Sequence, residues 1–509
     1  MNDVTATRHA AATAPRHTAA TAPRRPAVPV EPIFDQTPHP FGDGPAAPLV
    51  YDASTQARRQ RTVNFAAKRY ADMLFVTGLD RATADRHHRW RAALPPAGLD
   101  TRLPHSDDQT RLMAAVRAEH LKVEVDHDDQ RVTVIWNEPS EAPTIGSAVA
   151  RPGYGGIQLG QHAVLQFDPK PIHRDIAAVG RAWPQGEAVD SHVSPPAALT
   201  QALDAFFASS SGVYGLLIAT PERVLLERYS AFGAPDRVTP SWSMTKAITC
   251  TIIGRLIHDG WLGSVHDPAA APLWRDPRGI HHLITLDHLL RMRSGLGFPV
   301  RHDDGGITLG FENSAVYQDG CDAFEAAQRS VVAAVPGSVF RYVNSGVNVL
   351  GSIIRDQIAK RALPYHETVY RLLADRLGMA SYQHSADIVG NFIASGAGFA
   401  TLRDYAKLGV LYLQDGMWDG HRILPEGWVD YALTATHTGT SYAACFRTNT
   451  DRLFPDLPVD TAWAAGASDN KIFILRRHRL TVAVSNETDH PMDLGALNRV
   501  IATAIETLA

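Results

Sequence analysis

At 509 residues the chain exceeds the roughly 250–300 at which a single hydrophobic core stops growing, so more than one folding unit is expected. Its 45% hydrophobic and 20% charged residues describe a globular protein, and its glycines and prolines are too scattered for a fibrous repeat. Lysine and arginine total 49 against 53 acids, and a net charge of −4 excludes the overall field that gathers nucleic acid or anionic membrane, favouring small uncharged or zwitterionic partners.

The first thirty residues hold several arginines and almost no acid, and ATAPRHTA at Ala12–Ala19 is followed by ATAPRRPA at Ala20–Ala27. Low complexity without an amphipathic period predicts a disordered tail over residues 1–50, in preference to an organelle transit segment. No apolar leader opens the sequence, and no stretch approaches the roughly 18 apolar residues of a membrane span. A cytoplasmic location away from membranes is therefore expected. Cys250, Cys321 and Cys445 are odd in number and far apart, which fits a reducing compartment and leaves no zinc spacing.

From Arg59 to Ala93 the apolar spacing of Phe65, Tyr70, Met73, Leu74 and Phe75 predicts a helix that breaks at Pro95-Pro96. A hairpin follows, with strands at 121–125 and 132–136 around a polar turn, and then a glycine-rich loop from Arg151 to Gly156. Residues 55–165 thus read as a small α+β N-terminal domain, and the proline- and charge-rich stretch 166–196 as a linker.

The second unit, 197–509, opens with a helix near 197–208 and a hairpin of strands at 213–218 and 224–229. Near its end, strands at 472–475 and 480–484 flank the basic turn Arg476–Arg479, and a closing helix runs from about Leu494 to Leu508. Strands at both ends with a helix-rich stretch between predict an α+β unit, one antiparallel sheet flanked by helices plus an all-helical subdomain.

Ser243-Met244-Thr245-Lys246 stands directly before an amphipathic run in which Ile248, Ile252, Ile253, Leu256 and Ile257 share a stripe, so a helix starts at or near Ser243. Residues three apart on a helix share a face, which sets Lys246 beside the Ser243 hydroxyl, where it can accept the serine proton. The positive helix end would favour a developing oxyanion. By itself Ser-x-x-Lys is a weak pattern, and Ser468-Asp469-Asn470-Lys471 matches it too. That second match runs into a strand, where residues three apart project to opposite faces and cannot meet.

A Pro-Gly turn at 336–337 leads into Tyr342-Val343-Asn344, where a tyrosine is followed two residues later by asparagine. Ser-x-x-Lys opening a helix, Tyr-x-Asn about a hundred residues on and a C-terminal hairpin together resemble the serine β-lactamase and penicillin-binding-protein superfamily. The likeness is greatest to its class C-like esterases and 6-aminohexanoate-oligomer hydrolases. The run from Ile284 to Leu296 ending in Ser-Gly-Leu, the helix at Thr401–Gly416 and the segment Gly420–Pro425 extend it over about 197–509, and residues 62–160 resemble the N-terminal extension of some members. The resemblance implies Ser243 as nucleophile, Lys246 and Tyr342 as its proton-handling partners, and Asn344 as a hydrogen-bond partner of the substrate amide or the lysine. Acylation of Ser243 and then hydrolysis would follow, with no cofactor and no metal.

The third family motif departs. Where relatives carry Lys-Thr-Gly, His-Thr-Gly or His-Gly, this chain has Ala464-Ala465-Gly466-Ala467-Ser468-Asp469-Asn470-Lys471. Ser468, Asp469 and Asn470 are the expected substrate-binding residues there, with Asp469 standing where glycine is common. Its carboxylate would disfavour anionic substrates and favour amine-bearing ones. The expected partner is a small amide or ester, with amide cleavage ahead of a carboxylesterase and of a catalytically inactive binding or scaffold module; a homodimer stays open. β-Lactams fit less well without an export signal. The adjacent pairs His87-His88 and His281-His282 lack the spacing of a metal site, and Asp303-Asp304-Gly305-Gly306 reads as a turn, not a calcium loop.

Overall fold

Alternation of apolar side chains along the C-terminal strands decides the architecture. The computed structural model describes residues 48–87, 121–137, 142–176, 180–189, 194–310, 315–436, 441–487 and 491–508. The tail expected over 1–50 falls almost wholly outside these residues, as do Pro95-Pro96 and the last part of the helix expected to reach Ala93.

Helix α1 (Thr55–Ala71) begins at Ser54, whose side chain accepts the Ala57 N–H at 3.2 Å, and continues as a π-helical turn over Asp72–Val76. Gly78, with a φ of 73°, ends it, and a separate short helix follows at Arg81–His87. The single helix expected from Arg59 is therefore two. Strands β1 (Leu121–Asp126), β2 (Arg131–Trp136), β3 (Thr144–Arg151) and β4 (Gly155–Gln158) form an antiparallel meander in that order, with Leu121 opposite Trp136. Val63, Ala67 and Tyr70 of α1 pack on Val132, Val134 and Trp136 of β2. A Cβ on Gly146 of β3 would stand 2.5 Å from Asn64 N, so only glycine permits this helix-to-strand approach.

The rest of the chain includes the following elements in order: α2 (Ala197–Ser209), β5 (Val213–Ala219), β6 (Val224–Tyr229), β7 (Thr239–Trp242), α3 (Thr245–His258), β8 (Leu296–Arg301), β9 (Ile307–Gly310), α4 (Asn344–Ala359), β10 (Gln383–His384), β11 (Gly398–Ala400), α5 (Leu402–Leu413), β12 (Arg447–Thr448), β13 (Ala462–Ala465), β14 (Lys471–Leu475), β15 (Leu480–Asn486) and α6 (Leu494–Leu508). Six strands lie antiparallel in the order β12-β13-β14-β15-β5-β6. Phe473, Leu475, Val482, Val484, Leu216 and Ile218 share a core with Leu199 and Phe206 of α2 and Leu497 and Ile501 of α6. Their neighbours in sequence, Ile472, Ile474, Ala483 and Leu217, belong to the core on the opposite face with Ile253 of α3 and Leu408 of α5. Each such side chain contributes roughly 1.5–3 kcal/mol relative to exposure, so this two-sided burial decides the sheet's register.

The α+β class with an antiparallel sheet between helices is thus the observed one. Its helix-rich stretch between β7 and β12 also holds three small sheets: β10-β11-β7, one built on β8 and β9, and the pair Met417–Trp418 with His421–Arg422. Among the described residues no helix is long and apolar enough to cross a membrane. These residues fall within one compact unit, and Tyr214 of β5 packs in the same cluster as α1 and β2.

Candidate active site

Strand β7 ends at Ser241-Trp242, and the chain turns through Ser243-Met244 into α3. Three close contacts, Met244 N–H to Ser241 O, Lys246 N–H to Ser243 O and Ala247 N–H to Met244 O, each 3.0 Å, tighten that turn. The fully buried Ser241 hydroxyl lies 2.6 Å from the Thr245 hydroxyl and accepts the Gly398 N–H at 3.0 Å, tying the end of β7 to both α3 and β11. Ser243 is therefore carried on a fixed turn while its own side chain stays half-buried.

Lys246 lies in the first turn of α3 and is only 1% exposed. Its Nζ donates to Ser243 Oγ at 2.8 Å and to the Ser395 carbonyl. Ser395 is held in turn by its N–H to Asn348 Oδ1 at 3.1 Å and by its hydroxyl, 3.1 Å from Tyr317 Oη. The same ammonium nitrogen is 5.0 Å from the centroid of the Tyr342 ring, which meets the Tyr442 ring edge-on at 5.8 Å. Burial pushes the Tyr442 hydroxyl well above its ordinary range. Asn344, two residues beyond Tyr342, is the buried first residue of α4.

The turn after β13 reaches the end of β7 through Gly466. A Cβ there would stand 2.3 Å from the Ser241 carbonyl and 3.2 Å from Trp242 Cβ, so only glycine permits this approach. Ser468 and Asp469 both adopt positive φ, 59° and 64°. Among the described residues the backbone N–H of Ser243 donates to no partner. The Ser468 hydroxyl is buried without a hydrogen bond.

Asn470 behaves differently from the substrate contact expected of it. Its side-chain amide donates to Ala467 O at 2.7 Å and Asn486 O at 3.1 Å, while its oxygen accepts from Ser485 Oγ at 2.8 Å and Asn486 N at 2.9 Å. Every part of that amide is used in holding the turn. Asp469 is matched with Lys471, Nζ to Oδ1 at 2.7 Å, which neutralises the carboxylate expected to favour amine-bearing substrates. That contact also shows Lys471 turned to Asp469, not to Ser468, as a strand position requires.

The fold brings Ser243, Lys246 and Tyr342 together, with Ser395, Asn348, Tyr317 and Tyr442, which the sequence reading did not single out, around them. Asn348 carried a usable signal, being an asparagine one helical turn beyond Asn344 inside an apolar stripe. Ser395 had none, because it acts through its carbonyl. Among the described residues no three His, Cys, Asp or Glu side chains converge as a metal site requires.

A serine on a tight turn with a buried lysine against it, in a fold built on a six-stranded antiparallel sheet, fits a class. The model of the Beta-lactamase family matches residues 216–504, more than half of the chain, and the chain belongs to that family of serine hydrolases. It is 25% identical to the 6-aminohexanoate-dimer hydrolase of Paenarthrobacter ureafaciens over 227 residues, 43% of this chain. The match spans 56% of that relative's length. Similar solved structures include a 6-aminohexanoate-dimer hydrolase-like protein from Bacillus anthracis, at 18% identity and a TM-score of 0.49 over 67% of this chain and 88% of the other. A penicillin-binding-protein homologue from Caulobacter crescentus is also 18% identical, with a TM-score of 0.48 over 62% and 99%.

Proposed function

We propose that the chain hydrolyses amide bonds of small linear amides or oligomers through an acyl-enzyme on Ser243. The observation that carries this reading is the 2.8 Å contact between Lys246 Nζ and Ser243 Oγ at the opening of a buried helix, with the Tyr342 ring 5.0 Å from the same nitrogen. In its neutral form Lys246 takes the proton from Ser243 as the hydroxyl attacks the amide carbonyl. Tyr342, on the other side of the amine, passes a proton to the departing amine nitrogen, and later the same pair draws one from the attacking water.

The tetrahedral oxyanion needs donors already in place, and the free N–H of Ser243 at the mouth of α3 supplies one. A second comes from the Ala467–Asp469 turn, which Gly466 holds against the nucleophile strand. Asn344, at the start of α4, is placed to steady the substrate amide. Preference for amides over esters rests on the relative from Paenarthrobacter ureafaciens, whose name is that of an amide hydrolase.

Brief exposure to a fluorophosphonate probe tests the nucleophile. Intact mass spectrometry should find one adduct on the wild type and none on Ser243→Ala; equal labelling of both rejects the assignment. Parallel assays with the 6-aminohexanoate dimer and a p-nitrophenyl ester then separate the bond types, since fast ester cleavage without amide turnover makes the protein a carboxylesterase.

A further inference from the structure

We infer that Phe65 of helix α1 is a positioning residue for Ser243: with Arg69 it holds the Trp242 indole and, through it, the turn that aims the Ser243 hydroxyl at Lys246. This rests on the reading of Ser243 as nucleophile. It adds to the site an element that lies outside residues 216–504, the part of the chain matched by the Beta-lactamase family model.

The turn itself supplies the reason. Ser241 O accepts the Met244 N–H at 3.0 Å, so Trp242 and Ser243 are the two central residues of a tight four-residue turn. Trp242 has a φ of 45°, whereas φ at Ser243 is not positive. The first central place of such a turn is ordinarily left to glycine, because a Cβ at positive φ crowds the backbone. Here the largest of all side chains occupies it, and the contacts of that side chain must offset the strain. Ser243 follows directly, so any rotation of the Trp242 backbone swings the serine Cβ and, with it, the 2.8 Å contact between Oγ and Lys246 Nζ.

Contacts of the required kind come from α1. The Phe65 ring centroid lies 6.1 Å from that of Trp242, with the planes at 43°, and the Arg69 guanidinium carbon lies 5.0 Å from the indole. Four residues separate Phe65 from Arg69, one helical turn, so both meet the same ring. Each is fixed on its other side, Arg69 by its ion pair with Glu487 and Phe65 by packing on Tyr317, Ile393 and Ala397. The indole N–H is buried with no hydrogen-bond partner among the described residues, so packing sets the place of the ring.

Saturable labelling of the full chain by a fluorophosphonate, followed by intact mass, separates positioning from binding. Phe65→Ala should lower the limiting rate of labelling by about 10- to 100-fold, the scale of a misplaced nucleophile, and leave the half-saturating concentration within about twofold. Phe65→Leu refills most of the volume and should recover part of that rate. In Trp242→Gly the turn needs no help from α1, so adding Phe65→Ala to it should cost less than about threefold. Trp242→Ala, with neither the indole nor the freedom of glycine, should label more slowly than Trp242→Gly. Circular dichroism checks folding, and should Phe65→Ala fail to fold, Phe65→Leu carries the same comparison. An undiminished limiting rate in the Phe65 variants, or the same loss in the wild-type and Trp242→Gly backgrounds, overturns the positioning role. A wild type that does not label rejects Ser243 as nucleophile, and the role of Phe65 falls with it.

Discussion

Gly466 shows how much of the site depends on a residue without a side chain. Its φ and ψ of −115° and 165° suit any amino acid, so backbone freedom is not what it supplies. It supplies proximity, because a methyl group would stand 2.3 Å from the Ser241 carbonyl. Gly466→Ala should fold, since the turn can move outward, but the Ala467–Asp469 N–H groups would then retreat from Ser243. Misplacement of a catalytic group by about 1 Å costs on the order of 100-fold in rate. We expect kcat to fall by that order with an unchanged circular dichroism spectrum; full activity would mean that this turn does not serve the oxyanion. At this scale the sequence was legible where chemistry needs a particular side chain, as at Ser243 and Lys246. It was silent where a carbonyl or a missing Cβ does the work, as at Ser395 and Gly466. Asp469 misled because charge read along a sequence omits the partner, here Lys471 two residues on.

Elements with a clear period were the readable ones. Strands β14 and β15 and helix α6 stand within two residues of where alternation and helical spacing put them, because burial on two faces enforces the pattern. The β8–β9 hairpin, with Ile307 and Leu309 exposed on β9, left no such mark in the sequence. A two-stranded ribbon with one wet face leaves a weak signal. The small sheet β10-β11-β7 was likewise hidden, since its strands are two to four residues long, yet it includes the strand that leads into Ser243. On β10, His384 is buried and stacked on Phe392 at 4.9 Å, and burial, with Arg174 a lesser cause, pushes its pKa down to about 3. In the unfolded chain that group titrates near 6.5, so acid adds a proton to the unfolded state first. Its contribution to stability is complete above about pH 6.5 and is lost as pH falls from there toward 3. His384→Phe keeps the stack and removes the titration. Urea melts at several pH values between about 6 and 4 should show a dependence shallower by about 1.4 kcal/mol per pH unit than the wild type. Parallel slopes would mean the ring takes up a proton in the folded state.

Across the whole molecule, helix α1 is bound to the catalytic sheet by charges that have left water. Arg69 donates to Glu487, the residue after β15, and Tyr214 of β5 donates to the other oxygen of that carboxylate at 2.5 Å. The Glu487 charge and burial together push the Tyr214 hydroxyl well above its ordinary range. Arg69 also lies 5.0 Å from the Trp242 ring, next in sequence to Ser243. Lys68 completes the junction, reaching Asp72 at 2.9 Å, the Gly156 carbonyl at 2.7 Å and the Ser385 hydroxyl at 3.3 Å. None of this was legible in the sequence, where nothing marks Lys68 and Arg69 as charges that leave water. Removing one member of a buried ion pair leaves the other uncompensated, at a cost of about 3–5 kcal/mol. Arg69→Met should lose stability on that order and also slow turnover, because Trp242 loses the cation that packs on it. Adding Glu487→Gln removes the stranded charge, so the double variant should recover at least about 2 kcal/mol relative to the sum of the singles. Urea unfolding of the four proteins measures this coupling. Additivity within about 0.5 kcal/mol would show the two residues to be independent, and α1 would then be held to the sheet by its apolar contacts alone.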